Sequence, residues 1–500
     1  MYAFSLKSAI NFHLIFSSPS VKIREKTEYD LLENIRKISL RVPAKASMWY
    51  TASSILSKGI SALCTPIFTR LLTPSEYGLY PLYNTWLSVV TVIVTLELTG
   101  GVIYRGLQKF EDKKDEFISS AFGLFLFVFI GFCTLYFAFY DNFNKLTGLS
   151  LFISALLLSE IFASTVIAFY TARARFEYKY KSATVINLIS SFCIPFVSIA
   201  FILLTNLRSE ARIIASAITL SAVGVFALYD TLKRSSKIFN KEIWLFLLKF
   251  NLPLLPHYLS ISLIMRIGEI MIGRVYGTDD LGKYSIAVSI GLALTVITNG
   301  ILSALSPWLL RKVRSKESDK IRDVLFLVTK LISILCLLLL SGAPELMKIL
   351  TTEAFCSALP AIYPLALSVI PIFLSSALVS AEMYFERSAV TALPAIVSAA
   401  ICIALSIFVL PRVDYRFASI FVLISYLFLT VLLALVYKRL SGEFPLKVRS
   451  TLTVFGLALG YATLLFLLRG ALLSRVILTL PLLPALFITA KGILPIIKEE

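Results

Sequence analysis

The stretch Arg70 to Tyr80, RLLTPSEYGLY, joins two strongly apolar segments, and Arg274 to Tyr284, RVYGTDDLGKY, does the same further along the chain. The two stand at a constant offset of 204 (70 to 274). It pairs Arg70 with Arg274, Gly78 with Gly282, Tyr80 with Tyr284, and the run Thr91, Val92, Ile93 with Thr295, Val296, Ile297. The chemistry is shared as well as the letters. Pro74 or Gly277 stops the first helix, Glu76 or Asp280 suits the positive N-terminus of the next, and the common glycine relaxes the turn. Two such copies, each between a first and a second apolar helix, mark a duplicated membrane transporter.

Composition agrees with that reading. Of 500 residues, 58% are hydrophobic, and a mean hydropathy of +0.84 is too apolar for a chain that must keep a wettable exterior. A bilayer core about 30 Å thick needs about 20 apolar residues per helix. On that rule the fold is an all-α polytopic membrane protein with about fourteen spans. They fall roughly at 47–69, 79–104, 117–140, 148–170, 183–205, 213–230, 250–273, 284–310, 323–343, 360–382, 391–411, 417–437, 450–469 and 476–496. The runs are too long and unbroken for a β-barrel. Residues 47–236 form the first six-helix bundle, 237–440 the second, and 441–500 two further peripheral helices. Residues 1–46 form a cytosolic extension. Leu31, Leu32, Ile35 and Ile38 share a helical face there, which suits a short interfacial helix; a disordered tail, or a true start at Met48, is the alternative.

The net charge of +18 would suggest nucleic acid in a soluble protein. Here Lys and Arg concentrate in alternate inter-span segments, and the positive-inside rule then places both termini in the cytoplasm and excludes nucleic acid as a partner. The clusters Arg173, Arg175, Lys179, Lys181 and Arg311, Lys312, Arg314, Lys316 fall on that side, where they orient the chain and meet anionic headgroups; the alternative is that they attract a pyrophosphate-bearing lipid to the inner entrance. Five of the six cysteines, Cys356 excepted, lie in expected helices, and His13 and His257 have no ligand partners in sequence, so neither a disulfide framework nor a metal is expected. No phosphate-cradling loop and no cofactor signature are present. The longest external connection, Pro344 to Leu359, is too short for an extramembrane catalytic domain, so the chain does not read as an enzyme.

Charges within spans cost about 2.5–3.5 kcal/mol each on insertion scales, so they face a cavity or a partner. Lys58, near the middle of the first span, is the leading candidate for binding an anionic group, against a structural pairing with Glu97 or Glu160. Arg266 and Glu269 stand three apart on the seventh span and can meet as an intrahelical pair or serve a cavity. Glu97, followed by Gly100 and Gly101 where a helix can bend, joins Glu160, Glu269 and Glu382 as candidates for ion coupling. Glu160 and Glu382 occupy equivalent spans of the two halves, and Phe176-Glu177 and Phe385-Glu386 follow those spans. Pro253 and Pro256 predict a kinked or broken seventh span, a candidate moving element.

At RLLTPSEYGLYPLYNTW, preceded by Trp49, Tyr50, Lys58, Gly59 and Thr65 to Thr69 and followed by Gly100, Gly101, Val102 and Arg105, the chain resembles the bacterial polysaccharide-biosynthesis flippases. These belong to one superfamily with the multidrug and toxin extrusion transporters. The resemblance is sharp over roughly 47–110 and diffuse beyond. It implies a multi-pass protein of the bacterial inner membrane. Its job would be to move an undecaprenyl-diphosphate-linked oligosaccharide from the cytosolic to the external leaflet for O-antigen or capsule-like polymers, by alternating access coupled to an ion gradient. Membrane lipids surround it, and a polysaccharide polymerase and chain-length machinery are candidate partners. Lys58 and Arg266 would solvate the diphosphate. A multidrug or cation antiporter of the same fold would instead need acids to dominate the lumen. A membrane polymerase or ligase would carry a large external loop.

Overall fold

A computed structural model describes residues 49, 52–177, 179–234, 237–385 and 388–498. The expected extension 1–46 and Glu386 lie outside the described residues. Every regular element described is helical, as it must be where a lipid core offers backbone groups no partner but their own helix.

Helix α1 (52–71) ends at the opening motif. Thr73 then caps α2 (Pro74–Thr95): its hydroxyl accepts from the Glu76 amide while Glu76 reaches back to the Thr73 backbone, with Pro74 at the first helical position. The second expected span does not run through. Leu96 and Glu97 take left-handed backbone angles (φ 49° and 53°), and the chain resumes as α3 (Gly101–Lys109). Then come α4 (Lys114–Ala138), a short α5 (Tyr140–Thr147), α6 (Leu151–Phe176), α7 (Tyr180–Leu204) and α8 (Ala211–Lys233). The second half opens with α9 (Lys241–Asn251) and α10 (Leu255–Val275), broken where Pro253 and Pro256 remove backbone donors. It continues through α11 (Thr278–Gly291), α12 (Thr295–Arg314), α13 (Ser318–Leu350), α14 (Leu359–Glu382), α15 (Ser388–Ala404) and α16 (Ala418–Ser441). Helices α17 (Val448–Leu467), α18 (Leu472–Thr479) and α19 (Leu482–Lys498) close the chain.

Each of the fourteen expected spans is occupied by a helix or a broken helix. Ten helices among the described residues are long and apolar enough to cross a membrane unaided, and α11 with α12, bent by 43°, make an eleventh. The stretch from Pro344 reads as a loop in the sequence, yet α13 continues to Leu350 with Pro344 buried, and Glu353–Ala358 form a 3-10 turn.

In the first bundle α8 packs on α6 and α7; in the second, α14 packs on α13 and α16, and α15 on α10 and α16. The bundles meet through α2, which lies along α10 and α11. The meeting is reciprocal. A Cβ on Gly78 would stand 1.8 Å from the Thr278 carbonyl oxygen, and one on Gly282 would stand 2.1 Å from that of Pro74. The offset of 204 carries 78 to 282 and 74 to 278, so the two contacts are one contact seen from each half, as at a two-fold interface. Only glycine leaves room for backbones this close. Ser75 and Thr278 hydroxyls stand 3.0 Å apart beside them, and Tyr77 meets Phe355 edge to face. Helices α17 to α19 lie outside the duplication against α13, held by Arg475 on α18, whose buried guanidinium pairs with Glu345 at 2.5 Å. Their outer residues Leu457, Leu467 and Leu473 are exposed, as a lipid-facing surface requires.

Candidate functional site

Just inside the glycine seam, between the bundles, lies a cavity of about 340 Å³. Its wall is largely polar: Ser61 and Thr65 of α1, Asn84 and Ser88 of α2, Ser285 and Ser289 of α11. Three charged groups line it, Arg212 at the start of α8 and Arg266 and Glu269 of α10. Two cations face one carboxylate, so the cavity carries a net positive charge.

The two arginines are held differently. Arg266 donates to Glu269 at 2.9 Å, the intrahelical pair that the spacing allowed. Glu269 is buried and also accepts from the Thr85 hydroxyl at 2.5 Å, which ties α10 to α2 across the bundle boundary. Arg212 has no carboxylate among the described residues. Its guanidinium sits over three rings, 4.0 Å from the centroid of Tyr80, 4.4 Å from Phe68 and 4.9 Å from Tyr77. Its Nη1 is shielded from solvent and has no hydrogen-bond partner. Ring faces steady a cation without neutralising it, so Arg212 is oriented and still has full charge to offer. It lies one residue outside the span expected for α8, where an arginine reads as a loop charge. The signal that could have found it is the aromatic spacing of Tyr77 and Tyr80 at the start of α2.

Lys58 is exposed and makes no ion pair among the described residues; neither Glu97 nor Glu160 is its partner. It precedes Ser61 and Thr65 by three and seven residues, which puts it on the same stripe of α1, one turn further from the seam. The remaining acids are not brought together. Glu160 is buried behind the cavity wall, accepting from Tyr83 at 2.8 Å and Ser216 at 3.0 Å. Ser216 follows Arg212 by one turn of α8. Glu97 lies in the left-handed break between α2 and α3, where the neighbouring Leu96 carbonyl accepts from Asn251 at the break between α9 and α10. Glu382 is buried at the last residue of α14, whereas Glu160 sits mid-helix in α6. Their spans correspond; their depths do not.

At the end opposite the seam, the basic clusters are partly knotted into the fold. Glu177 accepts from Arg173 at 3.2 Å and Lys179 at 2.6 Å, and Glu317 pairs with Lys312 at 3.1 Å and Lys320 at 2.5 Å. Partial burial would raise the Glu177 carboxyl, but the hydrogen bonds from Lys179 and Arg173 outweigh it and hold it at about 2. The bonds from Lys320, Ser315 and Lys312 likewise hold Glu317 at about 2.

Comparisons with known proteins fit this arrangement. The lipid II flippase MurJ in an inward closed conformation superposes with a TM-score of 0.64 at 13% identity, over 89% of this chain and 98% of its own. An inward-facing multidrug resistance MATE transporter of the MOP superfamily gives 0.60 at 13% identity, over 82% and 95%. A MOP superfamily transporter from Pyrococcus furiosus, described as having a binding pocket of reverse polarity, gives 0.54 at 14% identity, over 79% and 96%. These likenesses establish the fold. A comparison with curated protein sequences found no significant match. Residues 44–313, more than half of the chain, match the family described as polysaccharide biosynthesis protein, and the chain belongs to that family.

Proposed function

We propose that this membrane transporter flips a polyprenyl-diphosphate-linked oligosaccharide from the cytosolic to the external leaflet of a bacterial inner membrane, serving a surface polysaccharide of the O-antigen or capsule kind. The observation that carries the reading is the charge of the cavity: Arg212 unneutralised in its aromatic box, with Arg266 beside it, against Glu269 alone. A diphosphate and a sugar head cannot cross hydrocarbon bare, and fixed cations with a hydroxyl-lined wall replace their water. The polyprenyl tail stays in lipid. A drug or cation antiporter of the same fold would place its carboxylates, not its arginines, in excess there. Among the described residues the connections between helices are short, whereas a polymerase or ligase is expected to carry a large external loop.

On this reading the seam end faces outside and the termini are cytosolic, because Arg173, Arg175, Arg311 and Arg314 gather at the opposite end. The bundles are the halves 47–236 and 237–440, with 441–500 peripheral, and they rock about the seam. Buried Glu160, with Glu97, Glu269 and Glu382 as further candidates, couples the motion to an ion gradient. The test is the leaflet distribution of lipid-linked oligosaccharide in cells lacking the protein, complemented with the native chain, Arg212→Ala or Arg266→Ala. Accumulation on the inner leaflet, relieved by the native chain and not by the variants, is expected. Normal arrival at the outer face without the protein, with polymerisation lost, would replace flipping with the enzyme alternative.

A further inference from the structure

A second hollow lies on the far side of the second bundle, away from the cargo cavity. It is a cleft of about 680 Å³ between α14, α16 and α17, at the same end of the molecule as the seam. Its lining is graded along the helices. At the mouth are Arg469, just past the end of α17, Tyr363 in the second turn of α14, and Asp414 and Arg416 just before α16. Deeper in are Leu459, Leu423 and Leu367. From Arg469 to Leu459 the wall spans ten residues, or about 15 Å at the helical rise, which is half the thickness of a bilayer core.

The polar groups at the mouth leave an unbalanced remainder. Arg416 is satisfied by Asp414 through two bonds of 2.6 and 2.7 Å. Arg469 has no carboxylate among the described residues and rests 4.6 Å over the Phe466 ring. That ring meets Tyr363 edge to face at 5.2 Å. Tyr363 is 5% exposed, and its hydroxyl is buried without a hydrogen-bond partner. A buried hydroxyl left unpaired is unfavourable until something bonds to it.

We propose that this cleft binds an anionic glycerophospholipid, its phosphate between Arg469 and the Tyr363 hydroxyl and one acyl chain along Leu459, Leu423 and Leu367. The occupant satisfies both polar groups and covers the apolar wall with a chain of matching length. A zwitterionic lipid brings its own cation to Arg469 and is held less well. The site is separate from the cargo cavity, so it stands whatever the cargo is. A lipid there wedges the peripheral α17 to the bundle and adds to its stability.

The experiment is native mass spectrometry of the detergent-purified full chain with added dioleoyl phosphatidylglycerol or dioleoyl phosphatidylethanolamine, with thermal unfolding measured in parallel. The native chain retains the anionic lipid and unfolds at higher temperature with it. Arg469→Ala weakens retention about tenfold, the loss expected for one charge-assisted contact, while Arg469→Lys keeps most of it. Tyr363→Phe, which removes one atom and no packing, weakens it too, and decides the matter if Arg469→Ala fails to fold. Equal retention of the two lipids by the native chain, or unchanged retention in both Arg469→Ala and Tyr363→Phe, overturns the proposal. Preferential recovery of an isoprenoid phosphate over the phospholipid would also overturn it.

Discussion

At the scale of single residues, Arg212 is the group on which the functional reading leans most. Its guanidinium is planar and stacks on Tyr80 at 4.0 Å, a contact that the compact ammonium of lysine does not reproduce. Arg212→Ala should therefore reduce complementation of a strain lacking the protein by tenfold or more, in the range of about 2 kcal/mol assigned to a desolvated cation over rings. Arg212→Lys, though it keeps the charge, should restore less than the native residue; full activity of Arg212→Lys would mean the rings are mere packing. Arg266 and Glu269 were readable in advance because charges three apart inside an apolar run have few explanations. Arg212 was not, because hydropathy alone begins the span at residue 213 and hands the arginine to a loop. In the sequence Lys58 reads as a charge inside the first span, and it lies on α1. That it does not line the cavity, standing one turn from Ser61 and two from Thr65, depends on where the other bundle closes, which no local pattern records.

At the scale of elements, the breaks matter more than the helices. Pro253 and Pro256 announce theirs, and α9 gives way to α10 where they fall. The break at Leu96 and Glu97 was only half visible. Gly100 and Gly101 suggested a bend, but the left-handed residues precede them, and the strain is tolerated because Asn251 donates to the freed Leu96 carbonyl at 2.9 Å. Asn251→Ala should cost about 1–2 kcal/mol of stability by stranding that carbonyl, measured as thermal unfolding in detergent, and Asn251→Asp should not recover it.

The knot at the end of α6 makes a pH prediction. Glu177 is depressed to about 2, against about 4.3 for a free glutamate. A depressed carboxyl contributes stability that is fully present above the unfolded value and is lost as pH falls through the folded one. Glu177→Gln should therefore lower the unfolding temperature at pH 7 and pH 5 alike, and its gap to the native chain should close between about pH 4 and pH 2. A gap that stayed constant across that interval would show the side chain acting through packing alone.

At the scale of the whole molecule, the duplication was legible from a few identities because one of them, Gly78 with Gly282, sits where the halves touch. A periodic apolar helix looks the same wherever it packs, so the partner of each span could not be read from the chain, whereas a backbone contact that admits only glycine leaves a letter behind. Cross-linking tests this directly. In a cysteine-free background, Ser75→Cys with Thr278→Cys, whose native hydroxyls are 3.0 Å apart, should form a disulfide on mild oxidation and stop transport, with activity returning on reduction. Transport that continued with the disulfide formed would mean that the seam never opens.

The seam is also electrically quiet. Arg208, which pairs with Glu76 beside it at 2.7 Å, belongs to the same half as its partner, and the contacts that join the halves at that end are glycines on carbonyls, a hydroxyl pair, a ring pair and donors from Thr69 and Arg70 to the backbone of Leu350 and Ile349. Among the described residues no ion pair crosses there. Ions in the medium screen attractions between charges and leave the fit of one backbone against another untouched. The seam should thus hold equally in dilute and in concentrated salt, kept shut by shape rather than by charge.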